Sequence, residues 1–514
     1  MSHLTRRGFV KTGAMGLAMA SIPGFFRGDP AAALSPSTEG KGSLKSYYDH
    51  FGVGEELLRE IMAAALSRGG DDCDLYFQHS VPTAIGLEDD IGNRAYTNVD
   101  MGVGIRVLKG DQTGYSFTEE LTTKAMKNAA LTAANIADSG ASPAPARLNF
   151  HAGGDYYPLR ERMEDVGIDL KIPKLRRVND RILAADPSVI KARIFYNDSS
   201  SYFLLVNSEG RVVCDHQPMT TFYAGCTAER DGKREQANRS LNYRRGIELL
   251  DDERLDRVAD EAVERTLMLF DAGKPQAGEM EVVLAAGSSG ILLHEAIGHG
   301  MEADFNRKDE SIFADKINKP VAENFVTIVD DGTNAHFPGS INVDDEGNDS
   351  TKTYLVEDGI LRSYMHDRIS AQHYGVKPTG SGRRQSFRPQ PMPRMRNTYM
   401  LPGPHTRDDV IGSVKKGLYC DVFANGEVHI GPGDFTFYVK IGRLIENGKL
   451  GSVVKDVNLI GNGPEVLSRI TMVGDDLAHS TGAWTCGKNG QGVPVSMGLP
   501  TVKVSSITVG GENS

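Results

Sequence analysis

The pattern of hydrophobic and polar positions predicts helices and strands in turn along the first part of the chain. Residues 44–68 have apolar side chains at helical spacing, which predicts one helix with a buried face made of Leu57, Leu58, Ile61 and Leu66. Apolar runs typical of β-strands follow at residues 75–77, 104–108 and 114–117. The polar residues 109–113 separate the last two runs, so these two runs are predicted to form a β-hairpin.

Further helices and a set of strands are predicted between this hairpin and residue 272. The Ala-rich residues 118–138 and residues 173–184 have helical character, and Pro187 lies just beyond the second segment. Four β-rich runs separated by short turns lie between residues 190 and 227, which is typical of an antiparallel meander. Residues 255–270 have the clearest amphipathic pattern, with one apolar side made of Leu255, Val258, Ala259, Ala262 and Leu269.

Helices and strands therefore occur in blocks and not in strict alternation, which predicts an α+β fold with antiparallel sheet. The amphipathic helix ends at Gly273-Lys274-Pro275, where we place a domain boundary. The chain has 514 residues, which is long enough for more than one domain. We predict an N-terminal α+β domain at residues 44–272 and a β-rich, Gly-dense C-terminal domain at residues 276–512.

Residues 1–33 resemble a twin-arginine signal peptide. The pair Arg6-Arg7 precedes a mildly apolar, Gly- and Ala-rich stretch at residues 13–26, and small residues up to Ala33 suit cleavage. The apolar stretch is too short to span a bilayer stably. The alternative is a short helix with a chance arginine pair. We predict that the mature protein is exported by the twin-arginine route, for example to the periplasm, and has no membrane span.

The charge and the cysteine content exclude two classes of protein. The formal net charge is −11 and the chain has no long basic run, so its surface repels polyanions and a nucleic-acid partner is not expected. The five cysteines are too few and too scattered to form a disulfide framework.

The candidate chemistry lies in an apolar helix at the start of the predicted C-terminal domain. Residues 281–286 read as a strand and residues 287–290 as a turn, and the helix that follows carries His294, Glu295 and His299. Burying two imidazoles and a carboxylate costs on the order of several kcal/mol unless their polar groups are satisfied. A metal ion with a water-activating base would satisfy them. Two core histidines that form hydrogen bonds with the backbone are the alternative.

The spacing of the two histidines is unusual for a metal site on a helix. In the common His-Glu-x-x-His motif the imidazoles lie one helical turn apart, whereas His299 comes one residue later than that motif requires. Five residues at about 100° each turn the second ring about 140° away from the first. Both rings face one ion only if the helix contains a π-bulge or loosens at Gly298.

From this motif onward, and also in the N-terminal half, the chain resembles the TldD/PmbA family of metallopeptidases, in particular the catalytic TldD branch. The resemblance covers nearly the whole mature chain. The segments that carry it are residues 74–78, 102–107, 290–304, 344–347, 355–364, 382–386, 392–399, 444–448 and 485–491. The predicted signal peptide is a difference between this chain and the better-known cytoplasmic members of the family.

The resemblance implies a zinc site in which His294, His299 and Cys486 bind the ion and Glu295 is the general base. Two imidazoles and a thiolate are an acceptable ligand set for zinc. The carboxylates of Glu302 and of Asp304 are competing candidates for the third ligand, but the Gly-rich sequence after Cys486 favours the thiol because it is pliable. The resemblance also implies a dimer, formed either with a second copy or with a metal-free relative.

Residues 382–399 contain five arginines and three prolines, and this composition predicts a solvated, extended loop. The resemblance makes Arg394 and Asn397 in this segment candidate substrate-binding residues. Such a cluster in an acidic protein is able to bind a peptide carboxylate or a tetrahedral oxyanion.

The function that the sequence favours is a zinc-dependent peptidase that hydrolyses unstructured peptides. A zinc aminopeptidase is less favoured because the arginine-rich segment does not suit a free amine. A non-catalytic peptide-binding or maturation partner of a metallopeptidase complex is the third hypothesis, since the family also contains subunits without the metal motif.

Overall fold

The structure, a computed structural model, describes residues 43–511 apart from 90, 139 and 141–144. The predicted signal peptide at residues 1–33 lies outside the described residues. Within the described range, the helices are too short or too polar to cross a membrane.

Eight strands of the N-terminal half (the described residues up to 272) form one sheet. Its strands are β1 (Asp72–Glu88), β2 (Ile91–Thr97), β3 (Asp100–Lys109), β4 (Gln112–Thr118), β5 (Asn149–Phe150), β6 (Val189–Asn207), β7 (Arg211–Arg230) and β8 (Lys233–Tyr243). The strand order is β4-β3-β1-β6-β7-β5, with β2 also paired to β1 and β8 to β7. All pairs are antiparallel except β5 with β7.

Five helices of this half pack on one face of that sheet. The helices are α1 (Leu44–Phe51), α2 (Glu55–Ala65), α3 (Thr123–Ala133), α4 (Ile168–Ala185) and α5 (Asp252–Met268). Along β6, alternate residues such as Leu204 and Val206 pack on α1, α2 and α3, while Ala192 and Ile194 pack on α4 and α5. Because residues of the same parity share a face of a strand, both helix groups cover the same side.

The other face of this sheet contacts the C-terminal half (residues 273–511). Tyr76 of β1 and Phe203 of β6 lie in a small buried cluster with Val343 and Phe387, which come from loops of the C-terminal half. The first sheet is therefore covered by helices on one side and by the other half of the chain on the second side.

Two expectations for the N-terminal half need correction. The predicted single helix at residues 44–68 is two helices, because Gly52 adopts a left-handed conformation with φ of 65° and its N–H caps α1. The predicted strands at 190–196 and 202–206 are one continuous strand, β6. The predicted hairpin is confirmed as β3 and β4.

The strands of the C-terminal half form a six-stranded sheet, a seven-stranded sheet and a two-stranded ribbon. They are β9 (Gly278–Leu284), β10 (Ile328–Asp331), β11 (Lys352–Glu357), β12 (Ile360–Leu361), β13 (Gly382–Arg383), β14 (Met392–Pro393), β15 (Asn397–Met400), β16 (Lys416–His429), β17 (Asp434–Glu446), β18 (Lys449–Asn462), β19 (Ile470–Val473), β20 (Ala478–His479), β21 (Trp484–Lys488), β22 (Gln491–Leu499) and β23 (Val502–Gly510). The short helices are α6 (Ala303–Asn306), α7 (Arg368–Tyr374), α8 (Arg407–Gly412) and α9 (Gly463–Ser468).

The six-stranded sheet has the order β18-β17-β16-β9-β23-β19, and an additional pairing of β18 with β23 closes five of its strands into a ring. The seven-stranded sheet has the order β12-β11-β10-β15-β22-β20, with β21 paired to β22. Residues of both sheets pack in one large core, which also contains Ile291, Leu292 and Ile297 of the metal-motif segment. The predicted α+β fold is confirmed, and the candidate site lies between the two sheets.

Candidate metal centre

The segment that carries His294, Glu295 and His299 begins directly after β9. Gly287, with φ of 97°, turns the chain out of the strand, and a short 3-10 turn at Ser288–Gly290 leads into the helical segment. Residues Leu293–Gly298 form a π-helix, and His299–Met301 continue it as a 3-10 turn. The segment is mostly apolar and buried, so the imidazoles of His294 and His299 are held inside the core, whereas Glu295 is partly exposed.

The π-helix brings the two imidazoles to the same side of the segment. The ring centroids of His294 and His299 are 5.1 Å apart and the ring planes are at 81°. One extra residue in the helical turn compensates for the five-residue spacing, as expected for a π-bulge. Of the two helix geometries that the spacing predicts, the π-bulge is the one that the structure has.

Cys486 of β21 completes a group of three buried donor side chains. The donor atoms of His294, His299 and Cys486 all lie within 4.8 Å of one another. The thiol Sγ of Cys486 is 3.5 Å from Nε2 of His299, although 187 residues separate them in sequence. The structure thus brings together all three residues for which the sequence predicts metal binding.

The chemistry of this donor set fits zinc. Nδ1 of His294 is buried and has no hydrogen-bond partner among the described residues. A buried nitrogen without a partner costs free energy, and a metal ion bound by this nitrogen would relieve that cost. Two imidazoles and one thiolate leave a fourth coordination position open, which is the arrangement of catalytic zinc sites.

The electrostatics of the group favour a thiolate. Burial would raise the pKa of Cys486, but the charge of His294 and hydrogen bonds from both imidazoles outweigh burial and lower this pKa well below its usual value. Burial would lower the pKa of His299, but Glu302 and the contact with Cys486 raise it well above its usual value. A thiolate is the form of cysteine that binds metal.

Glu295 lies beside the three donors and is more accessible than they are. Its Oε2 is 3.8 Å from Nε2 of His299, and its side chain is 19% exposed, whereas that of His299 is 6% exposed. A Cβ at Gly426 of β16 would lie 3.3 Å from Cγ of Glu295, so the backbone of β16 forms one wall beside the carboxylate. A solvent molecule can therefore reach Glu295 at the edge of the donor group.

Glu302, a competing candidate for the third ligand, binds His299. Its Oε2 accepts a hydrogen bond from Nδ1 of His299 at 3.0 Å and lies 3.0 Å from Nζ of Lys488. Burial would raise the pKa of Glu302, but Lys488 and His299 lower it to about 2. Lys488 is absent from the set of residues that the sequence predicts for this site, and its position two residues after Cys486 on a strand is the signal that would have found it.

Arg394 and Asn397, the predicted substrate-binding residues, are both fully buried. Arg394 donates to the carbonyls of Cys486 and Gln491 at 2.5 and 3.3 Å. Asn397 donates to the carbonyl of Asp331 at 2.6 Å. These contacts give both side chains a structural role, and substrate binding by them remains a prediction that their burial argues against.

The arginine-rich segment is also not the solvated loop that its composition predicts. Four of its five arginines, at positions 383, 384, 394 and 396, are at most 5% exposed. Each of the four donates to backbone carbonyls, and Arg384 and Arg396 also bind buried carboxylates.

Comparison with known proteins finds both similar sequences and similar folds. Sequence models of the PmbA/TldA metallopeptidase match the chain in three parts, domain 1 at residues 73–137, the central domain at 161–270 and the C-terminal domain at 277–511. A protein of Haemophilus influenzae named "Metalloprotease TldD homolog" is 39% identical over 453 residues, which cover 87% of this chain and 94% of that protein. The chain belongs to the PmbA/TldD family of metallopeptidases.

Two further similarities concern the metal and the fold. A Saccharolobus solfataricus protein named "Zinc metalloprotease TldD homolog" is 28% identical over 458 residues, which cover 86% of this chain and 97% of that protein. The crystal structure of TldE from Thermococcus kodakarensis superposes with a TM-score of 0.69 at 18% identity, covering 89% of this chain and 99% of that one. The second similarity supports the fold alone.

Proposed function

We propose that this protein is a zinc-dependent peptidase of the TldD-like branch that hydrolyses unstructured peptides. The observation that carries the proposal is the convergence of His294, His299 and Cys486 on one point, with Glu295 at its accessible edge. Relatives named metalloprotease and zinc metalloprotease support the same reaction class.

Each residue of the centre has a defined task in this proposal. Zinc, when bound, supplies Lewis-acid activation of a water molecule and of the scissile carbonyl. His294, His299 and Cys486 would hold the ion. Glu295 takes the proton of the attacking water and passes it to the leaving amine, a role typically worth about 10²–10⁴ in rate. The buried surroundings strengthen these electrostatic interactions because they have a low effective dielectric constant.

Replacing the proposed base tests this assignment. Glu295→Gln keeps the size of the side chain but removes its basicity, so we expect zinc content to stay and peptide hydrolysis to fall by about a hundredfold or more. The matched control is Glu446→Gln, an exposed glutamate at the end of β17. For both variants we measure the zinc content and the rate at which a random peptide pool is hydrolysed.

A Glu295→Gln protein with normal zinc and normal hydrolysis would refute the proposed mechanism. A wild-type protein that binds peptides but neither binds zinc nor cleaves them would instead be the non-catalytic binding or maturation partner.

Export by the twin-arginine route belongs to the same proposal. The order of arginine pair, apolar stretch and small residues in residues 1–33 supports it. Cell fractionation of the wild type and of a variant with Arg6→Lys and Arg7→Lys is the measurement. We expect the wild type outside the cytoplasm and the variant retained inside, and export of both proteins alike would contradict this route.

We also propose that the active form is a dimer, either of two copies or with a metal-free relative. A dimer is what the resemblance of the sequence to the TldD/PmbA family implies. Light scattering of the chain purified alone, and of the chain purified after co-expression with a metal-free relative, distinguishes the two dimers. A monomer in both samples would refute the proposal.

A further inference from the structure

The strand that carries the predicted third ligand also carries a buried lysine. Cys486 and Lys488 are two residues apart on β21 and are 2% and 7% exposed, whereas Thr485 and Gly487 between and beside them are exposed. Alternate residues of a strand point to the same face, so the ammonium group of Lys488 extends to the same side as the thiol.

Lys488 binds two acidic groups of the segment that follows the metal motif and one carbonyl group of the arginine-rich segment. Its Nζ lies 3.0 Å from Oε2 of Glu302, 2.7 Å from Oδ1 of Asp304 and 3.1 Å from the carbonyl oxygen of Pro393. It also lies over the ring of Phe305, 4.3 Å from the centroid. A buried ammonium is stable only when it is paired and hydrogen-bonded in this way.

We propose that Lys488 is a positioning residue that sets the geometry of the metal centre by fixing His299 and Cys486 relative to each other. This inference rests on the zinc site of the proposed function. It goes beyond that site because Lys488 is neither one of the three donor side chains nor the proposed base.

The first part of this action runs through Glu302. The oxygen of Glu302 that binds Lys488 is the same one that accepts from Nδ1 of His299. A carboxylate at Nδ1 keeps the proton there, fixes the plane of the ring and leaves Nε2 free as a ligand. Lys488 holds this carboxylate in place and compensates for its charge in the core.

The second part joins two elements that are distant in sequence. His294 and His299 lie on the segment after β9, whereas Cys486 lies on β21, so no short stretch of backbone fixes the thiol relative to the imidazoles. The ion pair between Lys488 and Glu302 ties β21 to that segment within two residues of the thiol.

The side chain of Arg394 also holds β21, by binding a backbone carbonyl group of that strand. Its Nη2 donates to the carbonyl oxygen of Cys486 at 2.5 Å. Its Nε is 4.0 Å from Oε1 of Glu302, and neither of these two atoms has a hydrogen-bond partner within the part of the chain that the structure describes. Two cations and the two carboxylates of Glu302 and Asp304 thus form a charge-balanced support beside the donors.

Zinc affinity of the purified protein tests the inference. Lys488→Met keeps the aliphatic stem and removes the charge, and we expect zinc affinity, measured by competition with a chelator, to fall about 10–100-fold, as for other outer partners of metal ligands. The matched control is Lys455→Met, which breaks a largely buried pair with Glu235 and a hydrogen bond to a backbone carbonyl away from the centre. The control is expected to keep wild-type zinc affinity.

A double variant separates positioning from stability. Lys488→Met alone leaves Glu302 buried without its ammonium partner, which destabilises the fold, whereas Lys488→Met with Glu302→Leu removes both charges. We expect the melting temperature of the zinc-free protein to recover in the double variant while zinc affinity stays low. Cobalt(II) bound in place of zinc adds a spectroscopic signature, and a weakened thiolate-to-cobalt charge-transfer band in both variants is expected.

The possible results have distinct meanings. Zinc affinity of Lys488→Met within twofold of the wild type, or recovery of affinity together with stability in the double variant, overturns the positioning role. If Lys488→Met does not fold, the double variant is compared with Glu302→Leu alone. Because Lys488 acts through Glu302, adding Lys488→Met to Glu302→Leu is expected to lower zinc affinity no further, and a further fall overturns the action through Glu302. A wild-type protein that binds no zinc refutes the metal centre itself, which is a different failure from normal zinc binding by the Lys488 variants.

Discussion

At the scale of single residues, Glu302 and Cys486 have different surroundings, and these surroundings suit different tasks. Oε2 of Glu302 is shared between His299 and Lys488, so this oxygen is committed to orienting an imidazole. The thiol of Cys486 interacts with both imidazoles, and these interactions lower its pKa. This contrast favours the thiol of Cys486 as the third ligand and the carboxylate of Glu302 as the group that orients His299.

Loss of the thiol should therefore remove the metal. We expect Cys486→Ala to lose most of its zinc affinity, because two imidazoles alone leave the ion under-coordinated. Cys420→Ala is the matched control, since it removes an equally buried thiol in the same core. That control should lose some stability, about 1 kcal/mol for a small core truncation, and keep its zinc. Metal analysis that finds full zinc in Cys486→Ala would transfer the ligand role to a carboxylate.

At this scale, the sequence predicts a feature that residue spacing determines, such as the helix geometry between the two histidines. It does not predict a feature that tertiary contacts determine, such as the burial of an arginine. The five-residue step from His294 to His299 excludes a regular α-helix, so a π-bulge was among the only two solutions. No comparable rule shows that Arg394 is buried, because its partners are backbone carbonyls of β21 and β22 that lie about a hundred residues away. Amino-acid composition alone therefore predicts that such an arginine is solvated.

At the scale of elements, the π-helix depends on a close approach at Gly298. A Cβ at this position would overlap Sδ of Met395, a fully buried side chain from the segment before β15. The absence of a side chain thus lets the π-helical segment pack tightly against the arginine-rich segment, in addition to making the helix easier to distort.

Adding one methyl group at Gly298 should disturb both stability and metal binding. Because Met395 must move within a filled core, Gly298→Ala is expected to cost about 1–3 kcal/mol of unfolding free energy and to weaken zinc binding. Gly412→Ala at the end of α8 is the control, since its Cβ would meet no atom within 4 Å. Denaturant unfolding and chelator competition measure both effects, and equal behaviour of the two variants would argue against a packing requirement at Gly298.

The difference between predicted and observed elements also has a physical cause. The polar run from residue 197 to residue 201 interrupts the apolar pattern, which predicts two strands, yet β6 continues through it. Asp198 pairs there with the buried Lys171 at 2.5 Å, and Ser200 binds His216 of β7 at 2.8 Å. These partners come from other elements, so a pattern of hydrophobicity along one segment does not reveal them.

At the scale of the whole molecule, a buried ionic network joins the two halves of the chain. Arg106 of β3 lies 2.6 Å from Asp74 of β1 and 2.6 Å from Glu346 of the C-terminal half, and all three side chains are at most 3% exposed. Arg384 of the C-terminal half also binds Asp74, at 3.3 Å. Nothing in the spacing of residues 344–346 indicates that a strand of the other half supplies a partner for Glu346.

This network should make the halves unfold together, and Arg106 is its centre. Arg106→Met leaves Asp74 and Glu346 buried without their shared guanidinium, and removing one partner of a buried ion pair typically costs about 3–5 kcal/mol. The matched control is Arg181→Met, whose partner Asp260 at 2.6 Å is exposed, so its loss should cost about 0–1 kcal/mol. Calorimetry of the wild type should show one unfolding transition. Arg106→Met should unfold at a lower temperature or in two separate transitions. If Arg106→Met loses no more stability than the control, apolar contacts such as those of Phe387 with β1 and β6 hold the halves together without the ionic network.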